Sequence, residues 1–470
     1  MSLMYEKTSV WSKISESELK EIMVLGESYK EFLDKGKTER RAVEFIEKRA
    51  VEQGFIKLET ALANGKLNAG DKVYYTYKNK AAVMMIVGTE PMEKGLHIVG
   101  SHIDCPRLDL KQRPLYEEGG MALLKTHYYG GVKKYQWTTI PLALHGVIFT
   151  KEGKKVDVCI GEDEADPVLY INDLLIHLSA DQMQKKLSEG ITGEQLNIVV
   201  GNSDFGSEEG EKDPIKKKIM QILFDRYGIE EDDFAVAELE AVPADKARCV
   251  GLDRSMIAAY GHDDRSCAYA SLEAICEVEN PKKTAVALFV DKEEIGSNGN
   301  TGMTSMFFEN MLAEVLLLEE GPVDLAVRRT LGNSQILSAD VSATFDPTFP
   351  EVSEKLNANI LGCGVSVSKY TGSRGKYSCN DANAEFLAEV RAIFEEENVI
   401  WQTGEMGKVD QGGGGTIAEI LAAYGAEVVD CGVPVISMHA PMELVSKADV
   451  YMAKKAYRAF LKTSRAGAKF

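Results

Sequence analysis

The sequence predicts an α/β fold: a mostly parallel sheet flanked by helices, carrying an inserted β-rich domain. Three observations support it. Strand-like apolar runs alternate with helical runs toward both ends of the chain, as in layered α/β proteins. The run 96–101 (LHIVGS) is largely apolar up to its end, as in a sheet covered on both faces. Between about residues 105 and 250 the alternation gives way to short β-like runs broken by turn signals.

The elements follow in order. Ser15 is placed to cap a helix that holds Leu19, Ile22, Met23 and Leu25 at helical spacing, and 40–53 repeats the pattern. Strands are expected at 73–77, 82–87 and 96–101. Beyond residue 105 come β-like runs such as 143–150 and 155–160. Glu152-Gly153, Gly119-Gly120 and Gly130-Gly131 mark turns between such runs. The acidic stretch 206–213 reads as a surface loop. From about 251 the alternation resumes, with strands at 285–290 and 428–438 and helices at 380–397 and 416–424. These limits give a discontinuous domain over 1–104 and 251–470, and an inserted β-rich domain over 105–250. A chain of 470 residues accommodates that arrangement.

The net charge of −19 excludes nucleic acid and anionic membrane as default partners, because polyanions are repelled. The eight cysteines include no CxxC pair and read as reduced thiols, which fits a cytoplasmic protein. Neither a signal-peptide pattern nor an apolar run near the roughly 18 residues of a membrane span is found.

Five segments put acidic or histidine residues where strands are expected to end. They are GSHID (His102, Asp104), GHDDRS (His262, Asp263, Asp264), DKEEIGS (Asp291, Glu293, Glu294), SADVSA (Asp340) and SMHAP (His439). Active sites of open α/β sheets collect beyond the carboxyl ends of strands. Taken singly, each segment is weak. A histidine at a strand end is more often structural, and an acidic pair is more often a solvated turn. Taken together, two histidines and several carboxylates form the ligand set of a hydrolytic zinc, cobalt or manganese site. Two metals need a carboxylate between them and a free carboxylate as general base, and Glu293-Glu294 can supply one base and one ligand. Residues two apart on a strand point the same way, so Asp104 can orient the imidazole of His102.

In this order and at these distances, the segments resemble the aspartyl aminopeptidase family. They are also similar to the related tetrahedral aminopeptidases that form large hollow assemblies. The match covers most of the chain, and DKEEIGSNGNTG and ISMHAPMELVS are its most specific stretches. The resemblance implies an enzyme that removes N-terminal residues from peptides, using two divalent ions per subunit, zinc first and cobalt or manganese as substitutes. It implies that His102 and Asp340 bind one ion, Glu294 and His439 the other, and Asp263 both. Glu293 would be the general base, with Asp104 orienting His102. Lys369 and Tyr377 resemble positions that contact substrate. The resemblance also implies that 105–250 dimerises and that a tetrahedral dodecamer results. One position departs from the pattern. Where eukaryotic members carry a histidine that helps shape a neighbouring subunit's active site, this chain has Asp173. A carboxylate there would repel acidic N-terminal residues and favour neutral or basic ones. Two other readings are a dinuclear phosphoesterase, which the lack of a P-loop lysine motif disfavours, and a silent scaffold or cargo protein, which the retention of Glu293 disfavours.

Overall fold

Local signals set the first helices. The Ser15 hydroxyl accepts the N–H of Glu18, while the Glu18 carboxylate accepts the N–H of Ser15, and helix Glu16–Lys35 starts there. Thr38 caps Glu39–Glu52 in the simpler way. Of the four apolar residues expected on the first helix, Ile22 and Leu25 are buried and Leu19 is exposed. Tyr29, Phe32 and Leu33 complete the buried stripe.

The computed structural model describes residues 4–318 and 322–465, and the chain divides into two units. The first holds the chain up to Asp104, then Ala247–Met438, and the chain from Glu443 on; the second holds Cys105–Lys246 and the short segment His439–Met442.

The first unit is built on a nine-stranded sheet. Its order is Ile56–Lys57, Lys72–Tyr77, Ala81–Ile86, Ala285–Val290, His97–His102, Gln335–Ser338, Glu427–Gly432, Val365–Ser368 and Trp401–Thr403. The four central strands are parallel, and antiparallel partners flank them on both sides. Alternate residues of each central strand enter different cores. Val99, Ala287, Leu337 and Val429 pack with the helices Glu16–Lys35 and Glu39–Glu52. Ile98, Leu288, Ile336 and Val428 pack with Phe307–Leu316. Both faces are therefore covered, which is why these strands read as unbroken apolar runs. Register aligns the carboxyl ends: Val290 pairs with His102, and Ser338 with Gly100. A smaller sheet joins Arg248–Val250, Met256–Ala259, Glu443–Ser446, Pro434–Ile436 and Ser342–Ala343. The apolar run expected as one strand over 428–438 is thus two strands in different sheets.

In the second unit, seven antiparallel strands form one sheet, and Glu238–Pro243 pairs with both Arg107–Glu118 and Pro141–Phe149. That second pairing closes the sheet into a ring and leaves Lys155–Ile160 hydrogen-bonded along one side. The unit also holds helix Pro214–Tyr227, which the β-like reading of the region passed over. Its sequence signals are Pro214 at the first position and left-handed Gly228 just past the end. Among the described residues, no helix is long and apolar enough to cross a membrane.

His97 opens the central strand, buried, with Nε2 3.1 Å from Gln335 Oε1. Burial, helped by the nearby Lys283 charge, pushes its pKa down to about 4. The unfolded chain binds this proton near pH 6.5 and the folded chain does not, so the stability His97 contributes above pH 6.5 is lost as pH falls toward 4, by about 1.4 kcal/mol per unit. Calorimetry from pH 7 to 5 should show a shallower fall of the thermal midpoint for His97→Gln than for the wild type; parallel profiles would contradict the account.

Candidate metal centre

The carboxyl ends of the central strands lead into His102, Glu293, Glu294 and Asp340, and the turn after Met256–Ala259 of the smaller sheet adds Asp263. His102 ends its strand, with Nε2 3.2 Å from Asp263 Oδ1 and 3.9 Å from both Glu293 Oε2 and Asp340 Oδ1. Its Nδ1 lies 3.0 Å from the main-chain carbonyl of Asp104 and 3.4 Å from that residue's carboxylate. A carbonyl only accepts, so Nδ1 carries a hydrogen, and Nε2 faces the carboxylates.

The Asp104 carboxylate has a further task. Its two oxygens accept the main-chain N–H groups of Glu293 and Glu294, at 3.1 and 3.2 Å. Those N–H groups open the short turn Glu293–Ile295, which left-handed Lys292 and Gly296 bracket. Asp291, ahead of the turn, accepts the Thr301 hydroxyl at 2.5 Å and the Lys292 N–H at 2.8 Å. Burial pushes the Asp291 carboxyl up to about 6.

Asp263 and Asp264 sit in non-helical geometry within His262–Cys276, joined by a cis peptide bond. Asp264 Oδ2 accepts the His102 N–H at 3.2 Å. Asp263 donates its own N–H to the Glu443 carboxylate at 3.0 Å. His262 faces away from the cluster's chemistry: Nε2 lies 3.0 Å from the Ile257 carbonyl, and Nδ1 takes the Tyr29 hydroxyl at 2.6 Å. Burial pushes its pKa down to about 3, so it is a neutral structural residue. The Asp340 backbone passes so close to position 432 that only glycine fits there. A Cβ at Gly432 would lie 1.6 Å from the Asp340 carbonyl oxygen.

Donor atoms of His102, Asp263 and Glu294 lie within 4.8 Å of one another, and so do those of His102, Glu293 and Asp340. Burial disfavours charge on His102, yet Asp104, Asp263, Asp340 and Glu293 hold its pKa well above the usual value. Asp340 is likewise raised by burial and by neighbouring carboxylates, with His102 opposing.

Residues 32–461 match the family described as "Aminopeptidase I zinc metalloprotease (M18)". The chain belongs to the M18 aminopeptidase family. A "probable M18 family aminopeptidase 1" of Clostridium acetobutylicum is 53% identical over 460 residues, covering 98% of this chain and 99% of the relative. The crystal structure of an M18 aminopeptidase from Thermotoga maritima superposes with a TM-score of 0.93 at 43% identity, covering 98% of this chain and 100% of that one. The yeast mApe1 dodecamer shares the fold at 21% identity and a TM-score of 0.74, covering 93% of this chain and 96% of that one.

Membership of this zinc metalloprotease family agrees with the donor set. One imidazole with the buried Asp263 and the half-buried Glu293, Glu294 and Asp340 makes a nitrogen–oxygen cluster whose like charges call for a cation, and such donors suit zinc. The cluster contains His102, Asp263, Glu293, Glu294 and Asp340. His439 belongs to the second unit, where its Nδ1 lies 3.0 Å from the Gly131 carbonyl. Lys369 pairs with Asp381, which also takes Lys376 at 2.8 Å, and Tyr377 is exposed. Asp173, also in the second unit, accepts the Leu174 N–H and the Gln182 amide. Sequence reasoning passed over Glu443 and Tyr29. Glu443 lies inside the quoted ISMHAPMELVS stretch but carried no signal of its own; Tyr29 reads as one more apolar helix position.

Proposed function

We propose that this M18 aminopeptidase hydrolyses the first peptide bond of peptides at a two-ion centre, with Glu293 as general base. The observation that carries the reading is the convergence of Asp263, Glu293 and Asp340 on Nε2 of His102, within 3.9 Å. His102 and Asp340 would hold one ion, Glu294 and His439 the other, and Asp263 would serve both; zinc is the ion the family name points to. Bound there, the ions lower the pKa of water and offset the negative charge that develops on the carbonyl oxygen of the scissile bond.

The chain's own groups do the rest. Glu293 takes the proton of the attacking water and passes it to the leaving amine. Asp104 fixes where that carboxylate stands by holding the N–H groups of Glu293 and Glu294. Carboxylates of the centre would balance the cationic α-amino group of the substrate, which would make the enzyme an exopeptidase. Lys369 and Tyr377 would meet the substrate beyond the ions. The unit 1–104 with 251–470 would be catalytic, and 105–250 would join subunits. The eight free cysteines fit a cytoplasmic setting.

A homo-oligomer, and specifically a tetrahedral dodecamer, is the proposed assembly. Leu174, Leu175, Ile176, Leu178, Met183 and Leu187 are exposed around Asp173, an apolar patch that a partner subunit would cover. The dodecameric state of the yeast relative supports the same reading. Assembly would bring Asp173 to a neighbour's active site and bias it against acidic N-terminal residues.

Glu293→Gln should keep its metal by elemental analysis and lose about 100-fold or more in kcat, the usual general-base contribution; a loss within tenfold would remove Glu293 from the role. On a panel of aminoacyl chromogenic substrates, Asp173→His should raise kcat/KM for acidic N-terminal residues relative to basic ones. An unchanged ranking, or a fully active monomer by light scattering, would count against the proposed assembly.

A further inference from the structure

We infer that Glu443 is a positioning residue for the metal centre, acting through the main chain of Asp263. The inference rests on the reading of Asp263 as a shared ligand. Glu443 is a buried carboxylate, 2% exposed, that the proposed chemistry does not use. Strand pairing puts it there: Glu443–Ser446 runs antiparallel to Met256–Ala259, with Glu443 opposite Ala259. Just past Ala259 the chain turns through left-handed Gly261 into the acidic segment. The register therefore carries the Glu443 carboxylate to the point where the Asp263 N–H emerges, and the two meet at 3.0 Å.

That N–H needs an acceptor from outside its own helix. Asp263 has φ −84° and ψ 109°, so the helical ladder does not begin until later residues. A carboxylate is the strongest acceptor available to a main-chain N–H. With the N–H fixed, the Asp263 side chain is held 3.2 Å from Nε2 of His102. The rest of the segment has separate anchors. Tyr29 and the Ile257 carbonyl hold the His262 ring, and the His102 N–H holds Asp264. Loss of the Glu443 acceptor should therefore release Asp263 without unfolding the turn. Because Asp263 is proposed to serve both ions, its release weakens both. The partners behind a ligand typically tune metal affinity by this route.

The experiment titrates zinc into the metal-free full-length protein against a competing chelator. It compares wild type, Asp263→Ala, Glu443→Gln, Glu443→Met and Glu443→Ala, with the thermal midpoint of each metal-free protein measured alongside. Glu443→Met and Glu443→Ala lack an acceptor and should weaken zinc binding by about 10–100-fold, while Glu443→Gln, whose amide oxygen accepts the same N–H, should lose less than that range. The metal-free midpoints of Glu443→Gln and Glu443→Met should stay close together, since both fill the same volume. Wild-type zinc affinity in either acceptor-free variant overturns the inference. So does a Glu443→Gln loss equal to that of Glu443→Met. If Asp263→Ala itself binds zinc as the wild type does, the assignment of Asp263 as a ligand fails, a result separate from any behaviour of Glu443.

Discussion

Three carboxylates stand within 3.9 Å of one imidazole nitrogen at the floor of the first unit, and most of the surrounding structure answers that crowding of like charge. Without a cation the arrangement is costly: burial and the neighbouring carboxylates hold the Asp340 pKa well above the usual value. The protein meets part of the cost with main-chain hydrogen bonds. Asp104 accepts two N–H groups, Asp264 accepts one from His102, and Glu443 accepts one from Asp263. Each fixes a segment that carries a proposed ligand. The remaining imbalance is what a divalent ion relieves, and it explains why an M18 chain concentrates acid at the ends of its most apolar strands.

The parallel register makes this possible. Four adjacent strands pointing the same way end at one level, and the loops leaving them need only a residue or two to reach a common point. Asp291 follows Val290 directly, and Asp340 is two residues past Ser338. Gly432 then removes the one Cβ that would block the Asp340 backbone.

This logic also marks what was legible in the sequence. An apolar run ending in an acid or histidine is visible without a structure, so His102, Asp291, Glu293, Glu294 and Asp340 stood out. The strand identities of 82–87 and 285–290 were equally plain, because burial on two faces leaves no polar alternation to confuse them. Other features depend on pairings far apart in sequence. Glu443 is a surface-type residue by composition, and only its register with Ala259 gives it a partner. His262 looked like one more member of the acidic cluster until Tyr29, from a helix more than two hundred positions earlier, took its Nδ1. Ring closure in the second unit hinges on Glu238–Pro243 pairing on two sides, which no local pattern announces. Helix Pro214–Tyr227 was missed for a different reason: its amphipathic pattern is weak, and only Ile215 is buried.

The placement of the inserted unit has a consequence for the order in which the chain can fold. The insertion begins at Cys105, three residues after the central strand ends, and the strands that flank that strand, Ala285–Val290 and Gln335–Ser338, come only after the insertion is complete. During synthesis the apolar strand His97–His102 therefore emerges long before either neighbour exists. The inserted ring is contiguous apart from His439–Met442, so it can satisfy its own backbone hydrogen bonds while the larger sheet waits. The central strand gains its two flanking partners only after the insertion has been synthesised. Until then, an unpaired apolar strand is the part of the nascent chain most open to aggregation and to chaperones.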